Sequence, residues 1–153
     1  MDIHKRLKDL NITLPPRPEP AANYVPVVQA GKTIYVSGQT PKDGNTLVYK
    51  GKLGDSLSVE DGYAAAKLCA VRLLSALSSV TEDLNRVEKI IKLTVFVNAT
   101  AEFTEHPQVA NGASDLMETV YAERGMHARS AIGVSSLPSG AAVEIDLVAK
   151  LYD

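Results

Sequence analysis

An arginine and two carboxylates, Arg129, Glu144 and Asp146, fall in two C-terminal runs that alternate apolar with polar residues. The first run extends from His127 to Val134 and the second from Ala142 to Val148. A period of two sends successive side chains to opposite faces of a strand, so both runs read as strands. The turn-forming cluster Ser136-Leu137-Pro138-Ser139-Gly140 between them predicts an antiparallel hairpin. Centred on Pro138-Ser139, that hairpin pairs Val134 with Val143, Ile132 with Ile145 and Ser130 with Leu147 on a mostly apolar face. His127, Arg129, Ala131, Gly133, Glu144 and Asp146 then share the other face. In this register Glu144 stands across from Gly133, roughly 13 Å along the strand from Arg129, too far for a direct pair and open to a bridging polar ligand. Solvated charges on an outer sheet face account for the same three residues. The Ala-Gly stretch beside Arg129 is what that reading leaves unexplained.

The rest of the chain must position these groups. Ile3 to Leu10 predicts a short helix with Ile3, Leu7 and Leu10 on one face, ended by the stiff segment Pro15-Pro16-Arg17-Pro18-Glu19-Pro20. Residues 1–22 read as an arm laid over a single domain of residues 23–153. Tyr24–Ala30 and Thr33–Ser37 predict strands joined at Gly31-Lys32, the first an edge strand because of Pro26. Gly38 signals a bulge or a close backbone approach. Lys42-Asp43-Gly44-Asn45 is a turn, and Leu47–Tyr49 fits a further short strand. Ser58 caps a helix running to about Ser79 with acids in its first turn, and Ala64, Leu68, Val71 and Leu74 form its predicted inner stripe. Ile90–Asn98, rich in β-branched residues, predicts a central strand. A second helix spans about Gln108–Glu123 with Val109, Leu116, Val120 and Tyr121 inward. Asn111-Gly112 is poorly suited to a helix interior, so either the helix starts after Ser114 or Asn111 is kept for its amide. The order ββ(β)αβαββ predicts an α+β sandwich, a mostly antiparallel sheet with two helices on one face and Arg129, Glu144 and Asp146 on the other.

The 153 residues, 45% hydrophobic and 22% charged, suffice for one domain with a substantial core. A net charge of −2 with no basic run argues against nucleic-acid binding. No signal peptide or uninterrupted apolar run of spanning length is apparent, which predicts a cytoplasmic protein without membrane partners. Cys69 falls on a helix face and reads as a small buried hydrophobe. Three scattered histidines predict no metal site.

Tyr24 ahead of Gly31, then Val36-Ser37-Gly38-Gln39-Thr40-Pro41, Lys92–Val97, Asn111 before Arg129, Ala128-Arg129-Ser130, Leu137-Pro138 and Val143-Glu144-Ile145 follow in an order that resembles the Rid family. These are the reactive intermediate deaminases, also called YjgF-like or endoribonuclease L-PSP proteins. The resemblance covers about Tyr24 to Leu151 and implies a chorismate-mutase-like fold, a homotrimeric barrel and clefts between subunits. It implies hydrolysis of 2-imino or 2-enamino acids to 2-oxo acids and ammonia, without cofactor or metal. By the same resemblance Arg129 would bind the substrate carboxylate, as a planar guanidinium can with two parallel hydrogen bonds. Glu144 would place or polarise the attacking water near the Gly38 backbone, and Tyr24 and Asn111 would line the ligand. His127, on Arg129's predicted face, is a further pocket candidate. Ala131 stands where the family often has cysteine, and the arm resembles that of a longer subgroup. A non-catalytic binder or sensor of small carboxylates is the second reading. A ribonuclease or translation inhibitor, suggested by the family's older name, gets least support from the charge.

Overall fold

In the computed structural model, which describes residues 1–20 and 22–153, a five-stranded sheet carries helices on one face. Ala21, inside the predicted arm, lies outside the described residues. The elements are α1 (Ile3–Asp9), β1 (Val27–Ala30), β2 (Thr33–Gln39), β3 (Lys42–Asp43), β4 (Thr46–Leu47), α2 (Val59–Thr81), β5 (Val87–Asn98), α3 (His106–Tyr121), β6 (Ala128–Val134) and β7 (Val143–Leu151). The main sheet has the order β1-β2-β7-β5-β6, and β3 and β4 form a separate small hairpin. All pairings in the main sheet are antiparallel except β5 with β6. This is an α+β fold with a mostly antiparallel sheet.

The predicted β6–β7 hairpin does not form. β5 inserts between the two strands, pairing parallel with β6 through Leu93↔Arg129 and Phe96↔Ile132, and antiparallel with β7 through Phe96↔Glu144 and Thr94↔Asp146. Eight residues separate Val134 from Val143, enough to step across the strand that both flank. Local turn chemistry cannot distinguish that step from a hairpin.

The crossover also corrects the assignment of faces. Leu93, Ile145 and Val143 are fully buried against the helices. Arg129, in register with Leu93, therefore projects on the helix side, with Ala131 and Gly133. Glu144 and Asp146 project on the opposite, open face, and Glu144 is paired across to Phe96 rather than Gly133.

Ser58 and Asp61 form a reciprocal cap at the start of α2, with bonds of 3.0 and 3.1 Å, a device worth about 1 kcal/mol. By length and composition α2 could cross a membrane, but its apolar surface is used against the sheet and α3. The buried stripe runs through Gly62, Ala65, Ala66, Cys69, Leu73 and Leu77. The predicted stripe is therefore rotated: Ala64, Leu68 and Val71 are only half-buried, and Leu74 alone is fully covered. Small residues dominate because α3 crosses closely; a Cβ on Gly112 would collide with the backbone carbonyl of Tyr63. Asn111-Gly112 is thus helix interior after all. The glycine admits α2, and Val109, Leu116, Val120 and Tyr121 are buried as expected.

β1 is an edge strand. Gly31 turns into β2 with φ +63°, a conformation glycine adopts without steric cost. The predicted irregularity at Gly38 is a bulge, where the β2–β7 register shifts between Val36 and Gln39. Ile3 and Leu7 of α1 belong to the core, while Leu10 is 38% exposed. Each buried side chain contributes roughly 1.5–3 kcal/mol of transfer free energy, which holds the first turn of the chain on the domain.

Candidate functional site

The residues singled out from sequence assemble into two groups. The first surrounds Arg129 at the β6 edge. Its Nη1 donates to Asn111 Oδ1 at 2.8 Å and to Ser114 Oγ at 3.1 Å, and Nη2 donates to the Pro107 carbonyl at 3.5 Å. All three acceptors come from α3, where i, i+4 and i+7 spacing puts them on one face. The guanidinium is half-buried and fixed in direction. Among the described residues nothing accepts from Nε, so that edge of the fork remains for a carboxylate.

His127 stands behind this group rather than beside a ligand. Its Nδ1 lies 2.6 Å from the Gly125 carbonyl, and its Nε2 lies 2.8 Å from Ser114 Oγ. A carbonyl only accepts, so Nδ1 carries the proton, Nε2 accepts from Ser114, and Ser114 accepts from Arg129. Ser114, only 7% exposed, was missed from sequence, although its position three residues after Asn111 on one helix face was the available signal. The predicted space beside Arg129 is also occupied. A Cβ on Gly133 would sit 2.6 Å from His106 Nε2, and the His106 ring packs edge-on to Phe103.

The second group gathers Tyr24, Gly38 and Glu144 around a recess of about 320 Å³ that Lys42 and, from α2, Arg72 also line. Tyr24 is 47% exposed at its rim. Gly38 is indispensable to the geometry: a Cβ there would lie 2.5 Å from Glu144 Oε1. Burial, then the neighbouring Asp146, holds the Glu144 carboxyl above the ordinary glutamate range. Burial also raises Asp146, partly offset by the Thr94 hydroxyl and Lys92. Arg72 went unnoticed in sequence, although an arginine between Val71 and Leu73 in an apolar helix is itself a signal. Among the described residues no three His, Cys, Asp or Glu side chains stand close enough to hold a metal ion.

Within one chain the two groups do not meet. Arg129 and Glu144 sit two strand spacings apart, about 10 Å, and three residues along β5, about 10 Å more. They also face opposite sides of the sheet. A single small molecule cannot touch both in one copy.

Residues 15–151 match the family described as endoribonuclease L-PSP. Protein TCP17 of Trypanosoma cruzi is 48% identical over 150 residues, spanning 97% of this chain and 94% of that protein. A 2-iminobutanoate/2-iminopropanoate deaminase of Dermatophagoides farinae is 26% identical over 139 residues, 90% of this chain and 92% of that one. The crystal structure of Atu1372 from Agrobacterium tumefaciens, of unknown function, superposes with a TM-score of 0.91 at 42% identity, covering 98% of this chain and 92% of that one. With its fold, its ordered motifs and the match over nearly its whole length, the chain belongs to the endoribonuclease L-PSP family, the YjgF-like or Rid proteins.

Proposed function

We propose that this protein hydrolyses 2-imino and 2-enamino acids to 2-oxo acids and ammonia in a pocket shared between copies of the chain, three copies forming the working unit. The observation that carries the reading is the partition of the site. Arg129 is held by α3, its Nε without an acceptor among the described residues, on the far side of the sheet from Glu144 and Gly38. Both serve one small substrate only if Arg129 of one copy faces the recess of another. Val28, Tyr35 and Ile132, each about half exposed on the open sheet face, favour such an assembly. The mite relative described as an iminobutanoate deaminase supports the reaction class.

In this pocket Arg129 grips the substrate carboxylate and fixes the C2 carbon relative to Glu144. Water adds to C2 of the C=N bond and passes a proton to Glu144. The carboxyl returns that proton to nitrogen, giving a carbinolamine. Glu144 then carries the new hydroxyl proton to the same nitrogen, the C–N bond breaks, ammonia leaves and the C2 carbonyl forms. An imine is already electrophilic, so orientation and one proton carrier suffice. A carboxyl raised by burial is better matched to carrying a proton near neutrality than an exposed one.

The test generates imines in situ with an amino-acid oxidase and follows 2-oxo acid release by stopped flow. Acceleration by the protein, abolished in Arg129→Ala, is the expected result. Carboxylate binding with no acceleration across a broad amino-acid panel would replace the enzyme by a non-catalytic carboxylate sensor. Sedimentation equilibrium checks the assembly, and a monomer at micromolar concentration would remove the shared pocket.

A further inference from the structure

The recess that holds Glu144 has a second charged wall, for which the hydrolysis of a simple imino acid has no use. Arg72 projects into it from α2, and Lys42 lines it from the start of the β3–β4 hairpin. Arg72 is half-buried, and its Nε is fully buried with no hydrogen-bond partner among the described residues. A buried N–H donor without an acceptor is costly, and more so on a cation. The described ion pairs leave Arg72 without a carboxylate in contact.

The recess does contain two candidate counter-charges, Glu144 and Glu19, and neither neutralises Arg72. Burial holds the guanidinium below its ordinary range with no carboxylate opposing the shift, and Glu144 is raised with no cation pulling it back. A guanidinium and a carboxyl thus share one recess without an ion pair among the described residues. Arg72 is well placed to take an acidic group that enters from solvent, since a planar fork matches a carboxylate in two bonds. Lys42 adds a second positive charge on the same wall.

Resting on the hydrolase reading above, we propose that Arg72 and Lys42 form a distal anion subsite, so that the preferred substrates are 2-imino dicarboxylic acids. The C1 carboxylate lies on Arg129 of an adjacent copy, C2 lies beside Glu144 and Gly38, and the side-chain carboxylate reaches Arg72. The two acid groups of the substrate then meet two separate guanidinium groups, and Glu144 stands between them at the reacting carbon. The hydrolytic step is unchanged, because the distal carboxylate takes no part in bond making. Its contribution is to affinity and register. A monocarboxylic substrate would leave the guanidinium that lines the recess without an acid partner, which is how this wall discriminates.

Calorimetric titration of the intact protein with 2-oxoglutarate and with 2-oxopentanoate tests the subsite. The two acids share a five-carbon chain and differ only in whether it ends in carboxylate or methyl. The expected result is that 2-oxoglutarate binds at least tenfold more tightly. Arg72→Gln should collapse that ratio to near one, and Arg72→Lys should retain part of it. Equal affinities in the unaltered protein would overturn the subsite. So would an Arg72→Gln variant that weakens both acids in step, because that marks a structural arginine. If 2-oxopentanoate binds through Arg129 while 2-oxoglutarate gains nothing, the subsite alone falls. If neither acid binds, the shared carboxylate pocket falls with it.

Discussion

Gly38 and Glu144 are fitted to one another so closely that no side chain can be added to the first without moving the second. The bulge in β2 brings the glycine under the glutamate, and a Cβ would stand 2.5 Å from Oε1. The backbone at Gly38 does not need a left-handed conformation, so the requirement is one of space. Gly38→Ala should therefore fold and swing the carboxyl away, lowering kcat for imine hydrolysis about 10- to 100-fold with a small change in Tm. Unaltered kcat would show that Glu144 does not act at the reacting carbon.

Arg129→Lys tests whether the fork or the charge matters. Lysine keeps the charge but loses planar bidentate geometry, and its three donors cannot serve Asn111, Ser114, the Pro107 carbonyl and a carboxylate together. Charge-assisted bonds contribute about 1.5–3 kcal/mol each, so KM should rise about 10- to 100-fold with kcat less affected. Equal KM values in Arg129→Lys and the unaltered protein would count against carboxylate capture at this residue.

Under the proposed function, Ser114 and His127 act on the substrate only through Arg129. Ser114→Ala should raise KM about tenfold or more, the worth of one hydrogen bond from a charged donor. His127→Phe removes the acceptor that orients the Ser114 hydroxyl. The double variant should be no worse than Ser114→Ala alone, since both changes break one chain of bonds. Additive effects would mean that the imidazole reaches the ligand by another path.

Glu144 links function to stability with a definite sign. Its carboxyl titrates higher in the folded chain than in the unfolded one. Its contribution therefore favours the folded state fully below the unfolded pKa and is lost as pH rises through the folded value. Near pH 8 the charged, half-buried carboxylate opposes folding. Glu144→Gln should then raise stability by up to about 1 kcal/mol, discounted for solvent contact, with little gain at acid pH, while hydrolysis falls about 100-fold. Destabilisation at pH 8 would reverse the electrostatic assignment.

Much of this architecture was legible because it depends on local physics. The cap at Ser58, the edge role of β1 imposed by Pro26, the bulge at Gly38 and the inner face of α3 follow from short-range rules. The β6–β7 pairing failed because strand order is a long-range property, and Ser136–Gly140 has turn chemistry whether or not β5 lies between its flanks. Once the partner strand was wrong, the parity of Arg129 was wrong as well. In β6 the apolar Ile132 and Val134 face the open side, and the charged Arg129 lies toward the helices, the reverse of a half-solvated sheet. The edge explains the inversion, since helix cover thins there and α3 offers polar acceptors instead of core. The site residues were found by type and order, whereas their division between two faces needed the register.

Cys69 is completely buried on the inner face of α2, and burial pushes its thiol up, away from the reactive thiolate. Its sulfur points to the Val143 carbonyl, one residue from Glu144. A thiol-reactive dye added to the native protein should therefore be consumed only as fast as α2 lifts from the sheet, with full labelling in denaturant. Rapid labelling of native protein would mean that this helix opens locally. The lone sulfur is in effect a built-in clock for breathing of the layer beneath the recess, readable without adding a probe to the chain.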